Sequence, residues 1–213
     1  MTGADRGDPP ARSVEIELKF DVDAGAAVPD WSELPGVVTV SAGEERSLDA
    51  IYLDTADGAL ARRGFALRRR TGGPDAGWHI KGPRGADGGR VELHWPLGAE
   101  GVVPAAARTE LSGVLGDAEL TPLARIRNER VAYALAGQDG GVIAEFADDH
   151  VRTRDERNGI DREWHEWEIE LGPAAPADPQ WRASFFAAVE TAALAAGGRA
   201  AASDSKLARA LGH

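Results

Sequence analysis

The sequence predicts an α+β protein that consists mainly of antiparallel β-strands. Several short segments alternate charged and apolar residues with a period of two, which is typical of strands with two different faces. Most of these segments are joined by short turns, which favours antiparallel over parallel neighbours. The apolar backs need cover, and the charged faces repeat from strand to strand. We therefore predict an eight-stranded β-barrel, a tunnel with a charged lumen, covered outside by a few helices.

The first alternating segment lies at residues 14–20. Its apolar residues, which we expect on one face of a single continuous strand, are Val14, Ile16, Leu18 and Phe20. Glu15, Glu17 and Lys19 then share the other face. For one such strand alone, a charged face in water is the simpler interpretation. A charged cavity becomes the better interpretation if other strands repeat the pattern.

The rest of the chain does repeat it. After a stretch with room for a short helix near Trp31, we predict strands at 47–55, 65–70, 78–81, 90–97, 124–135, 142–149 and 160–171. Helices are predicted at 104–116, 179–196 and 203–211, with a proline start and a glycine stop for the first. No repeat or shift in composition marks a boundary, so we expect a disordered leader at 1–13 and a single domain at 14–213.

Composition narrows the function classes. A net charge of -11 over 213 residues argues against a general nucleic-acid binder. The absence of cysteine excludes disulfides, thiolate zinc sites and cysteine nucleophiles. The Ala-rich segment near residue 190 is too short and broken to span a bilayer, so we expect a cytoplasmic protein without a membrane partner. A local basic run at Arg68–Arg70 still allows a small anionic ligand.

The predicted charged faces contain both signs. They carry Glu15, Glu17, Lys19, Arg68, Arg70, Lys81, Arg90, Glu92, Arg130, Glu145, Asp149, Glu166, Glu168 and Glu170. Solvated faces usually contain more Ser, Thr, Asn and Gln than this. Clustered carboxylates favour a hard cation such as Mg²⁺ or Mn²⁺, and clustered Arg and Lys favour a polyanion with phosphate oxygens. The combination indicates a metal–phosphate site.

The same residues resemble a known family. Glu15-x-Glu17-x-Lys19 is similar to the signature of the CYTH domains, also called triphosphate tunnel metalloenzymes. The later matches are Tyr52-x-Asp54-Thr55, Leu67-Arg68-x-Arg70, Lys81-Gly82, Arg90-x-Glu92, Arg130, Asp149, Glu168-x-Glu170 and Ser205-Lys206. This ordered set is far more specific than the first motif alone. The resemblance implies an eight-stranded antiparallel barrel open at both ends.

The resemblance also implies roles for individual residues. The metal-side carboxylates would be Glu15, Glu17, Asp149, Glu168 and Glu170, supported by Glu92. The substrate-binding residues would be Lys19, Arg68, Arg70, Lys81, Arg90, Arg127, Arg130 and Lys206. Catalytic roles would fall to Glu168, Glu170 and Lys81. Asp148 competes with Asp149 for its position, and strand parity favours Asp149. Arg127 lies in the apolar parity and would need a bulge to turn inward.

These expectations lead to a hypothesis about function. The protein would be a divalent-metal-dependent hydrolase of a small triphosphate substrate, using Mg²⁺ or Mn²⁺, as a monomer or homodimer. Inorganic triphosphate is the favoured substrate, with ATP and thiamine triphosphate as the other candidates. The alternatives are an adenylyl cyclase of the same family and a non-catalytic polyphosphate-binding module. The histidines show no His-x-x-x-His spacing, so we predict satisfied or solvated imidazoles rather than metal ligands.

Overall fold

The computed structural model describes residues 9–86, 88–99 and 101–213. The strands in these residues are β1 Ala11–Glu15, β2 Glu17–Val22, β3 Thr39–Val40, β4 Glu44–Asp54, β5 Ala66–Thr71, β6 Gly77–Arg84, β7 Arg90–Trp95, β8 Thr121–Ala136, β9 Val142–Asp155, β10 Ile160–Leu171 and β11 Arg199–Ala200. The helices are α1 Ala59–Arg62, α2 Ala105–Glu110, α3 Ser112–Leu115, α4 Pro179–Ala195 and α5 Lys206–Leu211, with a short 3-10 helix at Trp31–Glu33. The predicted class, mainly antiparallel β with a few helices, is confirmed.

The chain divides into two compact units. Among the described residues, unit 1 holds 9–15, Leu48–Arg127 and Thr153–Asp161. Unit 2 holds Ile16–Ser47, Asn128–Arg152 and Arg162–His213. The long strands β4, β8, β9 and β10 contribute residues to both. Each unit has its own core and its own charged cluster.

Unit 1 is a meander in which β1, β7, β6, β5 and β4 follow one another as hydrogen-bonded neighbours. Helices α1, α2 and α3 cover the apolar face of this sheet, and the core there consists of Leu60, Leu67, Trp78, Ile80, Trp95, Ala107, Leu111 and Leu115. The side chains that alternate with these point to the opposite face. Antiparallel register places Arg68 opposite His79 and Lys81 opposite Glu92. The charged groups of three strands therefore meet on one face.

Unit 2 has β8, β9, β10, β2 and β11 as successive neighbours. Its core joins the apolar sides of these strands to α4 and the 3-10 helix, through residues that include Trp31, Phe146, Trp167, Phe185 and Val189. Asp178 caps α4 by accepting hydrogen bonds from the backbone N–H groups of Gln180 and Trp181. Helix α4 thus covers the apolar face and leaves the charged face of the strands to the candidate site.

The segment at residues 14–20 is two strands rather than the single one predicted. β1 pairs with β7, whereas β2 pairs with β10, and the change of partner occurs at Ile16. Glu15 consequently belongs to unit 1 and Glu17 to unit 2. Val14, which was predicted to lie on the covered apolar face, is 54% exposed. The described residues form nine strands of five or more residues, whereas eight strands were predicted.

Other element boundaries also differ from the predictions. β1 begins at Ala11, within the predicted leader, and residues 1–8 of that leader lie outside the described residues. The predicted helix at 104–116 is interrupted at Leu111. Helix α1 was not predicted because its four residues are too few to show a helical period.

Helix α1 owes its position to Asp54, a residue of the Tyr52-x-Asp54-Thr55 motif. Its buried carboxylate accepts hydrogen bonds from the backbone N–H groups of Thr55 at 2.7 Å, Leu60 at 2.9 Å and Ala61 at 3.0 Å. These donors would otherwise lack partners at the start of the helix. The motif therefore has a structural role here: it fixes the turn that carries α1 over the sheet.

Within the described residues, none of the helices has the length and apolar character needed to cross a bilayer.

Candidate active site

The most densely charged site lies in unit 2, on the face of the sheet away from α4. We call it the unit 2 cluster, and it consists of Lys19, Arg130, Asp149, Glu166, Glu168 and Lys206. The strands β8, β9, β10 and β2 supply the first five residues, and the first residue of α5 supplies Lys206. Register places Glu168 directly opposite Lys19 across β10 and β2. Alternation of side chains along these strands brings the charges together.

Arg130 holds Asp149 with two parallel hydrogen bonds. Its Nε donates to Oδ1 of Asp149 at 2.8 Å and its Nη2 to Oδ2 at 2.7 Å. The same Nη2 also donates to Oε2 of Glu168 at 2.7 Å. Asp149 is completely buried, so this forked contact supplies much of the compensation that its charge requires.

Two lysines complete the pairing. The Nζ of Lys206 lies 2.9 Å from Asp149 and 2.6 Å from Glu168, and it also pairs with Glu166. Lys19 pairs with Glu168 and, at 2.7 Å, with Glu17. Glu168 therefore contacts three cations, and its two oxygens are both occupied by them. The cluster with Glu17 contains four carboxylates and three cations, so it has an excess of negative charge.

Burial and pairing together shift the pKa values in this cluster. Burial disfavours the ionised form of Glu168, but Lys19, Lys206 and Arg130 outweigh it and hold the pKa of Glu168 well below its usual range. Burial likewise opposes the charge of Asp149, but Lys206 and Arg130 outweigh it and lower the pKa of Asp149. Burial also opposes the charge of Lys206, yet its carboxylate partners raise the pKa of Lys206 well above the ordinary value. These groups are therefore ionised at neutral pH.

Glu166 differs from its neighbours. Burial raises the pKa of Glu166, and the charge of Lys206 only partly opposes this effect. The residue is 3% exposed. It was placed on the predicted charged face but was given no role, because the family motif covers only Glu168-x-Glu170. Parity along β10 was the signal that could have identified it, since residues 166, 168 and 170 share one face.

The donor set of this cluster fits a hard divalent cation. Asp149, Glu166 and Glu168 each offer a carboxylate oxygen, and the three oxygens lie within 4.8 Å of one another. All three side chains are largely buried. Mg²⁺ and Mn²⁺ prefer oxygen ligands of this kind. Asp149 rather than Asp148 belongs to this group, as parity predicted.

A second charged cluster lies in unit 1. We call it the unit 1 cluster, and it consists of Glu15, Arg68, His79, Lys81 and Glu92. Lys81 Nζ lies 2.6 and 2.7 Å from the two oxygens of Glu15 and 3.8 Å from Glu92. Glu92 accepts from Arg68 at 3.3 Å and lies 3.0 Å from Nδ1 of His79. The pattern of mixed signs is the same as in unit 2, but with fewer carboxylates.

The surroundings shift the pKa values here as well. Burial raises the pKa of Glu15, with Lys81 opposing and Glu92 adding to the effect. Burial would also raise the pKa of Glu92, but His79, Lys81 and Arg68 hold it well below its usual range. Burial lowers the pKa of His79 to about 4.

Arg68 keeps one buried donor, its Nε, without a hydrogen-bond partner among the described residues. That N–H is available to an incoming acceptor.

Three of the predicted substrate-binding arginines have other contacts. Arg70 is paired with Asp75. Arg90 donates to the backbone oxygens of Gly82 at 2.6 Å and Gly64 at 3.3 Å, so it connects β6 to the turn at Gly64. The side chain of Arg127 is 60% exposed and lies 3.5 Å from Asp49.

The expectation that Arg127 turns inward is therefore wrong in this structure. Its side chain is exposed beside Asp49 at the part of β8 that belongs to unit 1, away from the buried charged clusters. Among the predicted carboxylates, Glu170 lies opposite Glu17 across β10 and β2, at one end of this strand pair. Both side chains are partly buried.

The protein is an antiparallel β protein with buried clusters in which carboxylates lie among Arg and Lys side chains. A protein of this class can hold a cation and an anion. Residues 13–195 match the CYTH domain family. The chain belongs to the CYTH domain family, and the resemblance seen in the sequence is confirmed.

Two curated relatives are uncharacterized proteins of Mycobacterium tuberculosis, MT2285 of strain CDC 1551 / Oshkosh and Rv2226 of strain H37Rv. Each is 37% identical to this chain over 214 residues, covering 95% of this chain and 41% of the relative. The chain thus spans less than half the length of these relatives.

Solved structures with a similar fold have low sequence identity. The putative adenylyl cyclase HpAC1 from Hippeastrum has a TM-score of 0.59 at 19% identity, covering 92% of this chain and 95% of its own. A putative adenylate cyclase from Bacillus halodurans has a TM-score of 0.60 at 16% identity, covering 93% and 97%. PH1819 of Pyrococcus horikoshii has a TM-score of 0.52 at 15% identity, covering 87% and 92%. These similarities concern the fold.

Proposed function

We propose that this chain is a divalent-metal-dependent hydrolase that cleaves inorganic triphosphate to diphosphate and phosphate. The observation that carries the proposal is the unit 2 cluster, in which three buried carboxylates that can share a cation are interleaved with three buried cations. An anion binder without a metal would gain nothing from so many carboxylates, because they repel phosphate. Membership of the CYTH family, whose members act on triphosphates, supports the same substrate class.

The residues can be given separate tasks. Asp149, Glu166 and Glu168 would hold Mg²⁺ or Mn²⁺, and that ion would supply Lewis-acid polarisation of the phosphate oxygens. Arg130, Lys19 and Lys206 would contact phosphate oxygens and stabilise the charge that develops on the transferred phosphoryl group. In unit 1, Arg68 and Lys81 are the corresponding candidates for phosphate binding, and the unpartnered Nε of Arg68 offers a further donor.

Glu170 is the candidate to orient and deprotonate the attacking water. Lys19, Lys206 and Arg130 hold the pKa of Glu168 well below its usual range, so Glu168 is a weak base and is better suited to bind a cation. Glu170 lies two residues further along the same face of β10 and is partly exposed. A base needs access to water and to the reacting phosphorus at the same time.

An adenylyl cyclase is the second candidate, because the similar proteins from Hippeastrum and Bacillus halodurans are described as putative adenylyl cyclases. HpAC1 is also described as having a dominant triphosphatase activity. The two activities use the same metal–phosphate chemistry and differ in the nucleophile, which is water in one and the ribose 3′-hydroxyl in the other. We favour hydrolysis because the charged clusters account for binding of phosphates and a cation, whereas a cyclase also has to bind adenine and ribose.

A substrate panel tests the proposal. The purified chain is incubated with inorganic triphosphate, ATP or thiamine triphosphate, each with Mg²⁺ and with Mn²⁺, and phosphate, diphosphate and cyclic AMP are measured. We expect phosphate and diphosphate in equal amounts from triphosphate, and loss of both products in Glu168→Gln. Formation of cyclic AMP from ATP without triphosphate hydrolysis would establish the cyclase instead. Tight binding of triphosphate without any turnover would identify a binding module.

A further inference from the structure

A group of three side chains lies on the other face of β9 and β10 from the unit 2 cluster. Asp148, His150 and His165 each offer one ligand atom, and these atoms lie within 4.8 Å of one another. Residues 148 and 150 share a face of β9, opposite to that of Asp149, and residue 165 lies opposite in parity to residue 166 on β10. The three are therefore separate from the unit 2 cluster.

Both ring nitrogens of His165 face an oxygen atom. Its Nδ1 lies 3.3 Å from the backbone oxygen of Asp23, and its Nε2 contacts Oδ1 of Asp148. A neutral imidazole has a single N–H and can satisfy only one of these oxygens. A metal ion on Nε2, with Nδ1–H donating to Asp23, would satisfy both. Metal-bound histidines commonly donate their other N–H to a backbone carbonyl in this way.

Asp148 is held in place by the core. Trp167 Nε1 donates to Oδ1 of Asp148 at 3.1 Å, and Trp167 itself is 1% exposed. The ring of His150 stacks on that of His165, with centroids 4.0 Å apart and an angle of 18° between the planes, so His150 has to turn out of this stack for both rings to bind one ion through their in-plane nitrogens. His165 is buried while His150 is exposed. The group is thus anchored on one side and open to solvent on the other, which gives an ion a route of entry.

We propose that Asp148, His150 and His165 form a binding site for a borderline divalent transition-metal ion of the Zn²⁺ class. Two imidazole nitrogens and one carboxylate oxygen are a ligand set that Zn²⁺ accepts, whereas Mg²⁺ prefers oxygen ligands alone. Three protein ligands leave a further coordination position for water on the exposed side of His150. The site differs from the proposed phosphate-processing metal in both position and ligand chemistry.

The test measures Zn²⁺ binding to tag-free protein by calorimetry, in an excess of Mg²⁺ that occupies sites made of oxygen ligands. We expect one equivalent of Zn²⁺ to bind, and His150→Ala and Asp148→Asn each to weaken the affinity by at least about tenfold. His150 is exposed, so its replacement should not disturb folding. Asp148→Asn keeps an acceptor for Trp167. Co²⁺ absorption in the visible range provides a second measurement, since imidazole ligands change the spectrum.

Two control variants distinguish Zn²⁺ binding at these three residues from Zn²⁺ binding elsewhere on the chain. His213→Ala removes another exposed histidine and should leave Zn²⁺ affinity unchanged, as should Glu168→Gln, which alters the unit 2 cluster. No Zn²⁺ binding in excess Mg²⁺, or equal affinity in wild type, His150→Ala and Asp148→Asn, would overturn the proposal and leave the contact of His165 with Asp148 as an ion pair. Loss of Zn²⁺ binding in Glu168→Gln alone would assign the ion to the carboxylates instead.

Discussion

Arg130 and Asp149 form a forked ion pair, with two hydrogen bonds of 2.8 and 2.7 Å between the guanidinium and the carboxylate. Asp149 has no exposed surface, so the pair lies where a single unpaired charge is expensive. The pair also joins β8 to β9, which are neighbours in the sheet of unit 2. The stability of this unit and its charge chemistry therefore depend on the same contact.

Replacing Arg130 should be costly for stability. Arg130→Ala leaves the buried carboxylate of Asp149 with Lys206 alone, and we expect the free energy of unfolding to fall by about 3–5 kcal/mol. Urea unfolding monitored by circular dichroism measures this. Arg154→Ala is the matched control, because Arg154 forms an exposed pair with Asp161 and should change little. A similar small effect for both variants would contradict the structural role of the pair.

Asp54 should contribute to stability through α1. Asp54→Ala removes the acceptor of three backbone N–H groups, and we expect a loss of about 2 kcal/mol in the free energy of unfolding. Asp161→Ala, at an exposed position, is the comparison variant and should have almost no effect. If the two substitutions gave equal stabilities, the capping contacts of Asp54 would not be the reason for its presence in the motif.

His79 should resist protonation. Burial lowers the pKa of His79 to about 4 from its ordinary value of 6.5, because the imidazolium is poorly solvated in its surroundings. NMR titration of the imidazole protons, assigned with His79→Gln, should show His79 still neutral at pH 5.5. A titration midpoint at or above 6.5 would contradict this.

The same shift has a consequence for stability. Between pH 6.5 and about 4, His79 binds a proton in the unfolded chain but stays neutral in the folded chain. The stability contributed by the neutral imidazole is therefore complete above pH 6.5 and is lost as the pH falls towards 4, by at most about 3 kcal/mol. Urea unfolding of wild type and His79→Gln across this range should show the steeper decline in wild type.

Glu166 should bind the metal. Glu166→Gln removes one of three carboxylates that can share a cation, and we expect the affinity for Mn²⁺ to fall at least about tenfold. Electron paramagnetic resonance of free Mn²⁺ measures this directly. Glu163→Gln, on the same strand but exposed, is the matched control and should bind as wild type does. Equal affinities in all three proteins would exclude Glu166 as a ligand.

Strand parity was sufficient to place many site residues from the sequence. Asp149 was chosen over Asp148 because of its parity, and it does pair with Arg130 and Lys206, whereas Asp148 contacts Trp167 on the other face. Lys19 and Glu168 were likewise expected on charged faces and lie opposite each other. Period-two patterns are reliable where one face of a sheet must be covered, because a shift of one residue would exchange the faces.

Parity does not reveal where a strand changes its partner. The alternation at residues 14–20 is unbroken in sequence, yet the pairing changes from β7 to β10 at Ile16. Contacts made outside the strand faces also escape the pattern, as with the pair of Arg70 and Asp75 or the donation of Arg90 to Gly64. The grouping of His150 with His165 could not be found from spacing, since the two histidines lie on different strands.

The most direct test of the central claim compares the hydrolysis of inorganic triphosphate by wild type, Glu168→Gln and Glu163→Gln. The claim is that the unit 2 cluster holds the metal and the phosphate for hydrolysis. It predicts that kcat/KM with Mn²⁺ falls at least about a hundredfold in Glu168→Gln and stays at the wild-type value in Glu163→Gln, with both variants folded by circular dichroism. Equal kcat/KM in all three proteins would contradict the claim.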